Sequence, residues 1–155
     1  MQEKIKVLFV CLGNICRSPM SEAIFRDIVK KNKLEDRFEI DSAATSTYNI
    51  GSKPDSRSTA TCNKYGIPVK HIARQVTKED FLHFDYILGM DESNISNLMK
   101  IKPKNSKAII KLLGDFDPKG DRIIQDPYYG NEDGFEYNFQ QCMRSSQKLL
   151  DHILA

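Results

Sequence analysis

The sequence predicts an α/β fold, a doubly wound four-stranded parallel sheet with helices on both faces, and three observations predict it. Short apolar runs rich in branched residues read as strands buried on both sides. They alternate with stretches of helical periodicity, and no repeat, low-complexity tract or Pro/Gly-rich linker interrupts the alternation. A single domain spanning 1–155 is expected, because 155 residues is one domain's length and enough to bury a core without disulfides or metal.

The first strand is Ile5 to Val10. Ser18-Pro19 then reads as a helix start, Ser at the cap and Pro at the first helical position, with Met20, Ala23, Ile24 and Ile28 on one face. A second strand, Phe38 to Ser42, leads through a polar loop to a helix near Asp55 to Tyr65, closed by Gly66. Thr77 with Asp80 forms the capping-box pattern of a short helix. Tyr86 to Met90 is the third strand, Glu92 to Lys100 a helix, and Ala108 to Leu112 the fourth strand. A long connection follows, of a length often used for function. The last helix runs from Gly134 to Leu154, with Phe135, Phe139, Met143, Ser146, Leu150 and Ile153 along one stripe. Ligands of such sheets bind beyond the carboxyl ends of the strands, which directs attention to the loops after Val10, Ser42, Met90 and Leu112.

Composition narrows the function classes. With 23 Lys+Arg against 21 Asp+Glu the net charge is +2, far from that of a general nucleic-acid binder. The Lys30, Lys31 and Lys33 cluster reads as a solvated helix end. The only early apolar run, Val7 to Leu12, is too short for a signal-peptide core or a membrane span, so a cytoplasmic protein with no membrane partner is expected. Cys11, Cys16, Cys62 and Cys142 are then reduced thiols, with Cys62 and Cys142 assigned to packing on helices far from the first loop. Cys11 and Cys16 with three scattered histidines do not make a zinc set, and neither a Walker loop nor G-x-G-x-x-G is present, so no metal and no cofactor is expected.

The chemistry lies in Cys11-Leu12-Gly13-Asn14-Ile15-Cys16-Arg17-Ser18, between first strand and first helix. A loop opening into a helix N-terminus directs several backbone N–H groups to one point, a cup for a phosphate-sized anion. Gly13 and Asn14 tolerate the positive φ that a tightly curled loop requires. Arg17 offers a planar fork to two phosphate oxygens, and Cys11 at the base lies in a field that favours thiolate over thiol. Cleavage of a phosphate monoester with a poor leaving group also needs a carboxylic acid. The residues alone leave two candidates on the long connection, Asp117-Pro118 and Asp126-Pro127.

Val10 to Pro19 resembles the phosphate-binding loop of the low-molecular-weight protein tyrosine phosphatases, and Asp126-Pro127-Tyr128-Tyr129-Gly130 resembles their general-acid loop. Asp41-Ser42-Ala43, His71 with Arg74-Gln75, and Phe84 through Asp91 are similar to the family as well, so the resemblance covers essentially the whole chain. It implies hydrolysis of phosphotyrosine and aryl phosphates through a cysteinyl-phosphate, with Cys11 as nucleophile, Arg17 as phosphate and transition-state binder and Asp126 as general acid. Leu12, Gly13, Asn14, Ile15, Cys16 and Ser18 would form the cup, with Asn14, Ser18, Ser42, His71 and Asp91 supporting it. Tyr48 and Tyr129 would flank the substrate ring, though both also read as plain exposed loop aromatics. Cys16 reads equally as a small buried filler or as the second cysteine with which members of the family form a reversible disulfide to the nucleophile. The implied partners are phosphotyrosine-containing proteins, and a monomer is expected. Two rivals share the anion cup. An arsenate reductase of this architecture would carry a further cysteine pair after the third strand, where Leu88-Gly89-Met90-Asp91 stands. A non-catalytic phosphotyrosine-binding module would need neither nucleophile nor acid.

Overall fold

Residues Ile5–Cys11 (β1) form the strand from which the rest of the sheet is laid out. A computed structural model describes residues 3–128, 130 and 132–155. β1 pairs in parallel with Phe38–Ala44 (β2) from Ile5 opposite Phe38 to Cys11 opposite Ala44, and on its other side with Tyr86–Gly89 (β3). Ile109–Leu112 (β4) adds to β3, giving the order β2-β1-β3-β4 with every pairing parallel. The chain leaves β1 toward one side and later returns to the other. The switch point of the sheet therefore lies at the carboxyl end of β1, where open α/β sheets place their ligands.

Alternation along β1 feeds two cores. Val7, Phe9 and Cys11 join one cluster with Met20, Ile24 and Phe25 of Arg17–Lys31 (α1) and with Phe139, Leu149 and Leu150 of Glu132–Leu154 (α5). Leu8 and Val10 join the other, with Phe81 of Lys78–His83 (α3) and Leu98 of Glu92–Ile101 (α4). Both faces of the sheet are covered, as predicted. Of the predicted α5 stripe, Phe135, Phe139, Ser146 and Leu150 are buried, while Met143 and Ile153 pack partly buried at its edge. Among the described residues no helix is long and apolar enough to cross a membrane.

Several boundaries differ from the sequence reading, each for a local reason. β1 runs on to Cys11 and β2 to Ala44, which places both ends at the rim of the sheet. α1 begins at Arg17 with Cys16 in the cap position, so Ser18 is not the cap; tertiary partners described below claim its hydroxyl. Pro19 falls within the first turn, where its missing N–H removes no helical bond. The helix Ser56–Lys64 (α2) starts from Asp55, whose carboxylate accepts from Arg57 N–H, and stops before Gly66 at φ 75°, the left-handed turn that ends a helix. The Thr77–Asp80 capping box forms as expected. β4 opens at Ile109 and α4 runs to Ile101. The connection after β4 contains a 3-10 turn, Leu113–Phe116, and ends where α5 begins at Glu132, two residues before the expected Gly134.

Candidate active site

The turn after β1 closes on the sulfur of Cys11. Asn14 takes the left-handed conformation at φ 57° and directs its N–H to Cys11 Sγ at 3.2 Å. Asn14 Nδ2 donates to Ser18 Oγ at 2.7 Å, which leaves the Ser18 proton for the sulfur 3.0 Å away. The sulfur is thus the acceptor of two hydrogen bonds on the buried floor of the loop. Within this loop positive φ falls on Asn14 and not on Gly13, which matters for another reason, since a Cβ there would come within 2.5 Å of Asn49 Nδ2.

Asn14 is the node that ties this loop to the next strand. Its Nδ2 also reaches Ser42 Oγ at 3.0 Å, and its Oδ1 accepts from Arg74 N–H at 3.2 Å and faces His71 Nε2 at 2.7 Å. Ser42 Oγ donates to Glu22 Oε1 at 2.7 Å, and His71 Nδ1 lies 3.2 Å from the same oxygen and 3.7 Å from Asp41 Oδ1. Ser42 and His71 therefore brace the loop from behind. Glu22, Asp41 and His71 offer a cluster of donor atoms able to hold a cation. Both Glu22 oxygens are already engaged, however, by Ser42 and Arg26, and Asp41 Oδ2 by Arg74.

Arg17 is 2% exposed and is aimed by two fixed acceptors, Asp91 Oδ2 at 2.6 Å and the Ile124 carbonyl at 3.0 Å, both on Nη1. Its Nη2 faces Asp126 Oδ2 at 3.7 Å. Burial pulls its pKa down, but Cys11, Asp91 and Asp126 more than offset that, and the net shift is upward, so the guanidinium stays a cation. Asp91 serves two structures at once, for its other oxygen accepts from Asn94 N–H and caps α4.

These groups surround a cleft of about 250 Å³. Cys11, Leu12, Gly13, Ile15, Cys16 and Arg17 form its floor and near wall, and Tyr48, Asn49, Asp126 and Tyr128 its mouth. Tyr48 is 78% exposed there. Tyr129, expected beside it, lies outside the described residues. Asn14, Ser18, Ser42, His71 and Asp91 do not line the cleft and act from behind it. Asn49 does line it, with no sequence signal to single it out, because only the folding of the loop after β2 brings it over Gly13.

The connection carrying Asp126 has its backbone held from several sides. Ile124 N–H donates to the Met90 carbonyl at 2.9 Å, Gln141 Nε2 to the Ile123 carbonyl at 2.9 Å, and Asn138 Nδ2 to the Gln125 carbonyl at 3.1 Å. Arg57 Nη2 donates to the Tyr128 carbonyl at 2.9 Å. Asp126 accepts from Tyr128 N–H at 3.1 Å and opens to the cleft. Asp117, the other candidate, is directed elsewhere: both its oxygens are held by Arg144 of α5, at 3.0 and 2.9 Å.

All four cysteines are free thiols. Burial, with Asp55 and Cys11 nearby, pushes the Cys16 pKa far above its ordinary value, and burial pushes those of Cys62 and Cys142 up to about 12. Cys62 packs in the core as expected, but Cys142 is not remote from the site. Its sulfur lies 3.2 Å from Ser21 Oγ, and that hydroxyl donates to the Arg17 carbonyl one turn earlier on α1.

The family model described as low molecular weight phosphotyrosine protein phosphatase matches residues 6–155. A mouse protein of that name is 56% identical over 147 residues, 94% of this chain and 93% of its own. The crystal structure of Primo-1 superposes with a TM-score of 0.93 at 45% identity, covering 97% of this chain and 99% of that one. That of a protein tyrosine phosphatase from Entamoeba histolytica does so at 0.94 and 36%, covering 97% of each.

Proposed function

This chain belongs to the low molecular weight phosphotyrosine protein phosphatase family, and from that premise we propose that residues 1–155 form one catalytic domain in which Cys11, Arg17 and Asp126 hydrolyse phosphotyrosine. The observation that carries the assignment is the convergence of three groups on one cleft: a sulfur accepting two hydrogen bonds, a buried guanidinium and an open carboxylate. The Cys11 thiolate attacks phosphorus, forming an S–P bond as the P–O bond to the phenol breaks. Asp126 gives its proton to the departing oxygen, which would otherwise leave as a basic phenolate. The carboxylate so formed takes a proton from water as that water attacks phosphorus, and cleavage of the S–P bond returns the thiolate and inorganic phosphate. Charge on the transferring phosphoryl oxygens meets the loop N–H groups and the Arg17 fork, held in place before reaction by Asp91 and Ile124. Tyr48 and Tyr128, which line the cleft, offer aromatic walls for a phenyl ring, which supports phosphotyrosine proteins and small aryl phosphates as substrates.

Cys11→Ser is expected to abolish turnover while inorganic phosphate still binds, since the backbone cup and Arg17 remain. Rapid acid quenching of the wild type should trap phosphate on Cys11. Turnover by the serine variant, or phosphate trapped on another residue, would refute the cysteinyl-phosphate route. The two rivals fare worse: Met90 is buried and Asp91 holds Arg17, so no thiol pair follows β3, and a module that only binds needs no carboxylate facing the cleft.

A cytoplasmic, monomeric enzyme under redox control completes the proposal. Free thiols suit a reducing compartment, and the cleft is built from one chain. Peroxide would oxidise the Cys11 thiolate to the sulfenic acid, releasing hydroxide. The Cys16 thiol would then displace water from it to form a disulfide that dithiothreitol reverses. Peptide mapping that finds the bridge elsewhere, or full recovery of Cys16→Ser after peroxide, would remove Cys16 from this role.

A further inference from the structure

The first turn of α2 touches both halves of the site without lining its chemistry. On one side Asp55 N–H donates to the Ile15 carbonyl at 2.7 Å and Ser58 Oγ to the Cys16 carbonyl at 2.9 Å, both carbonyls belonging to the loop that cradles Cys11. On the other side Arg57 Nη2 donates to the Tyr128 carbonyl at 2.9 Å and Nη1 to the Gly130 carbonyl at 3.5 Å, in the turn that follows Asp126. Arg57 is itself held rigid. Asp55 grips Nε and Nη2 through its two oxygens, each at 3.1 Å, and the guanidinium lies 4.7 Å from the Phe135 ring centroid and 5.4 Å from that of Tyr128. A planar fork pinned by a carboxylate and packed against two rings keeps little freedom, so the carbonyls it binds inherit a fixed distance from the phosphate loop.

We propose that Arg57 is a positioning residue that sets Asp126 at the height over Cys11 which proton transfer to the leaving oxygen requires. The inference rests on the reading of Asp126 as general acid. Misplacement of an acid by about 1 Å costs on the order of 10²-fold, so loss of the clamp acts on rate even though Arg57 meets no substrate.

The test pairs two substrates with a double variant. Arg57→Met keeps an aliphatic stem over Phe135 and removes the donors. It is expected to lower kcat/KM for phosphotyrosine by about 10- to 100-fold. The loss for 4-nitrophenyl phosphate, whose phenol leaves without help, should be far smaller. Competitive inhibition by inorganic phosphate should be unchanged, because the cup itself is intact. In an Asp126→Asn background the same substitution should add no further loss, since Arg57 acts only through that carboxyl. Arg57→Lys, which keeps the charge and loses the fork, should show the same substrate-selective loss at smaller size and serves if the Met variant folds poorly. Equal loss on both substrates, weakened phosphate inhibition, or additive loss in the double variant would overturn the positioning role. If Asp126→Asn alone shows no dependence on leaving group, the acid assignment itself falls, and the inference with it.

Discussion

Asp117-Pro118 and Asp126-Pro127 are the same dipeptide on the same connection, and they end in opposite circumstances. The Asp117 side chain is 0% exposed, gripped through both oxygens by Arg144, and accepts from Lys119 N–H besides. The Arg144 bonds hold its carboxyl below the usual carboxylate range. Asp126 is 37% exposed, and its nearest cation, Arg17, stands 3.7 Å away across the cleft. A group that must release and regain a proton in each cycle cannot be clamped in its charged form, whereas a carboxylate that ties a loop to α5 must be. Residue type and local sequence are alike at the two places; what faces each carboxylate differs, and on the proposed assignment that difference separates chemistry from architecture.

The sharpest way to break that contrast is kinetic. Asp126→Asn should slow release of tyrosinate by about 10²–10⁴-fold and release of an acidic phenol far less, measured as rate against leaving-group pKa. Asp117→Asn should leave that dependence unchanged, and the reverse outcome would exchange their roles. Stability should separate the pair in the other direction. Asp117→Asn weakens charge-assisted bonds to Arg144 and should lower the unfolding free energy by about 1–3 kcal/mol in urea titrations. Asp126→Asn should stay within about 0.5 kcal/mol of wild type, as for an open surface position. The smallest effect is its pH dependence. Because the folded pKa of Asp117 is depressed, its stabilisation is present above the unfolded value of about 3.9 and is lost as pH falls through the folded value. The gap in urea midpoint between wild type and Asp117→Asn should therefore be constant near neutrality and close below about pH 4. A gap that persists at low pH would mean the variant disturbs packing rather than charge.

How legible each region was follows from whether its parts are neighbours in the chain. Cys11, Asn14, Arg17 and Ser18 fall within one strand-to-helix turn, so spacing and residue chemistry announce an anion cup before any contact is known. Which of the two carboxylates faces the cleft was suggested only by resemblance, because Asp-Pro is an ordinary turn signal and the Arg144 pair that turns Asp117 away forms between distant segments. Arg57 and Asn49 carried no signal at all. In sequence the first is a helix-surface arginine and the second a loop amide, and each acquires its place only when β2 and α2 pack around the first loop. Ser18 shows the opposite error. Serine before proline is a strong cap signal, yet Asn14 and Cys11 compete for that hydroxyl and win, so the helix starts elsewhere.

Asp91, whose two oxygens divide between the cap of α4 and the guanidinium of Arg17, makes the cleft and that helix thermodynamic partners. An anion bound by Arg17 is expected to tighten that ion pair and with it the first turn of α4. By linkage, anything that frays that turn loosens the grip on the anion to the same degree. Occupancy of the cup should thereby be felt in the first turn of α4, outside the cleft, and slowed amide exchange at Asn94 on adding phosphate would read it out.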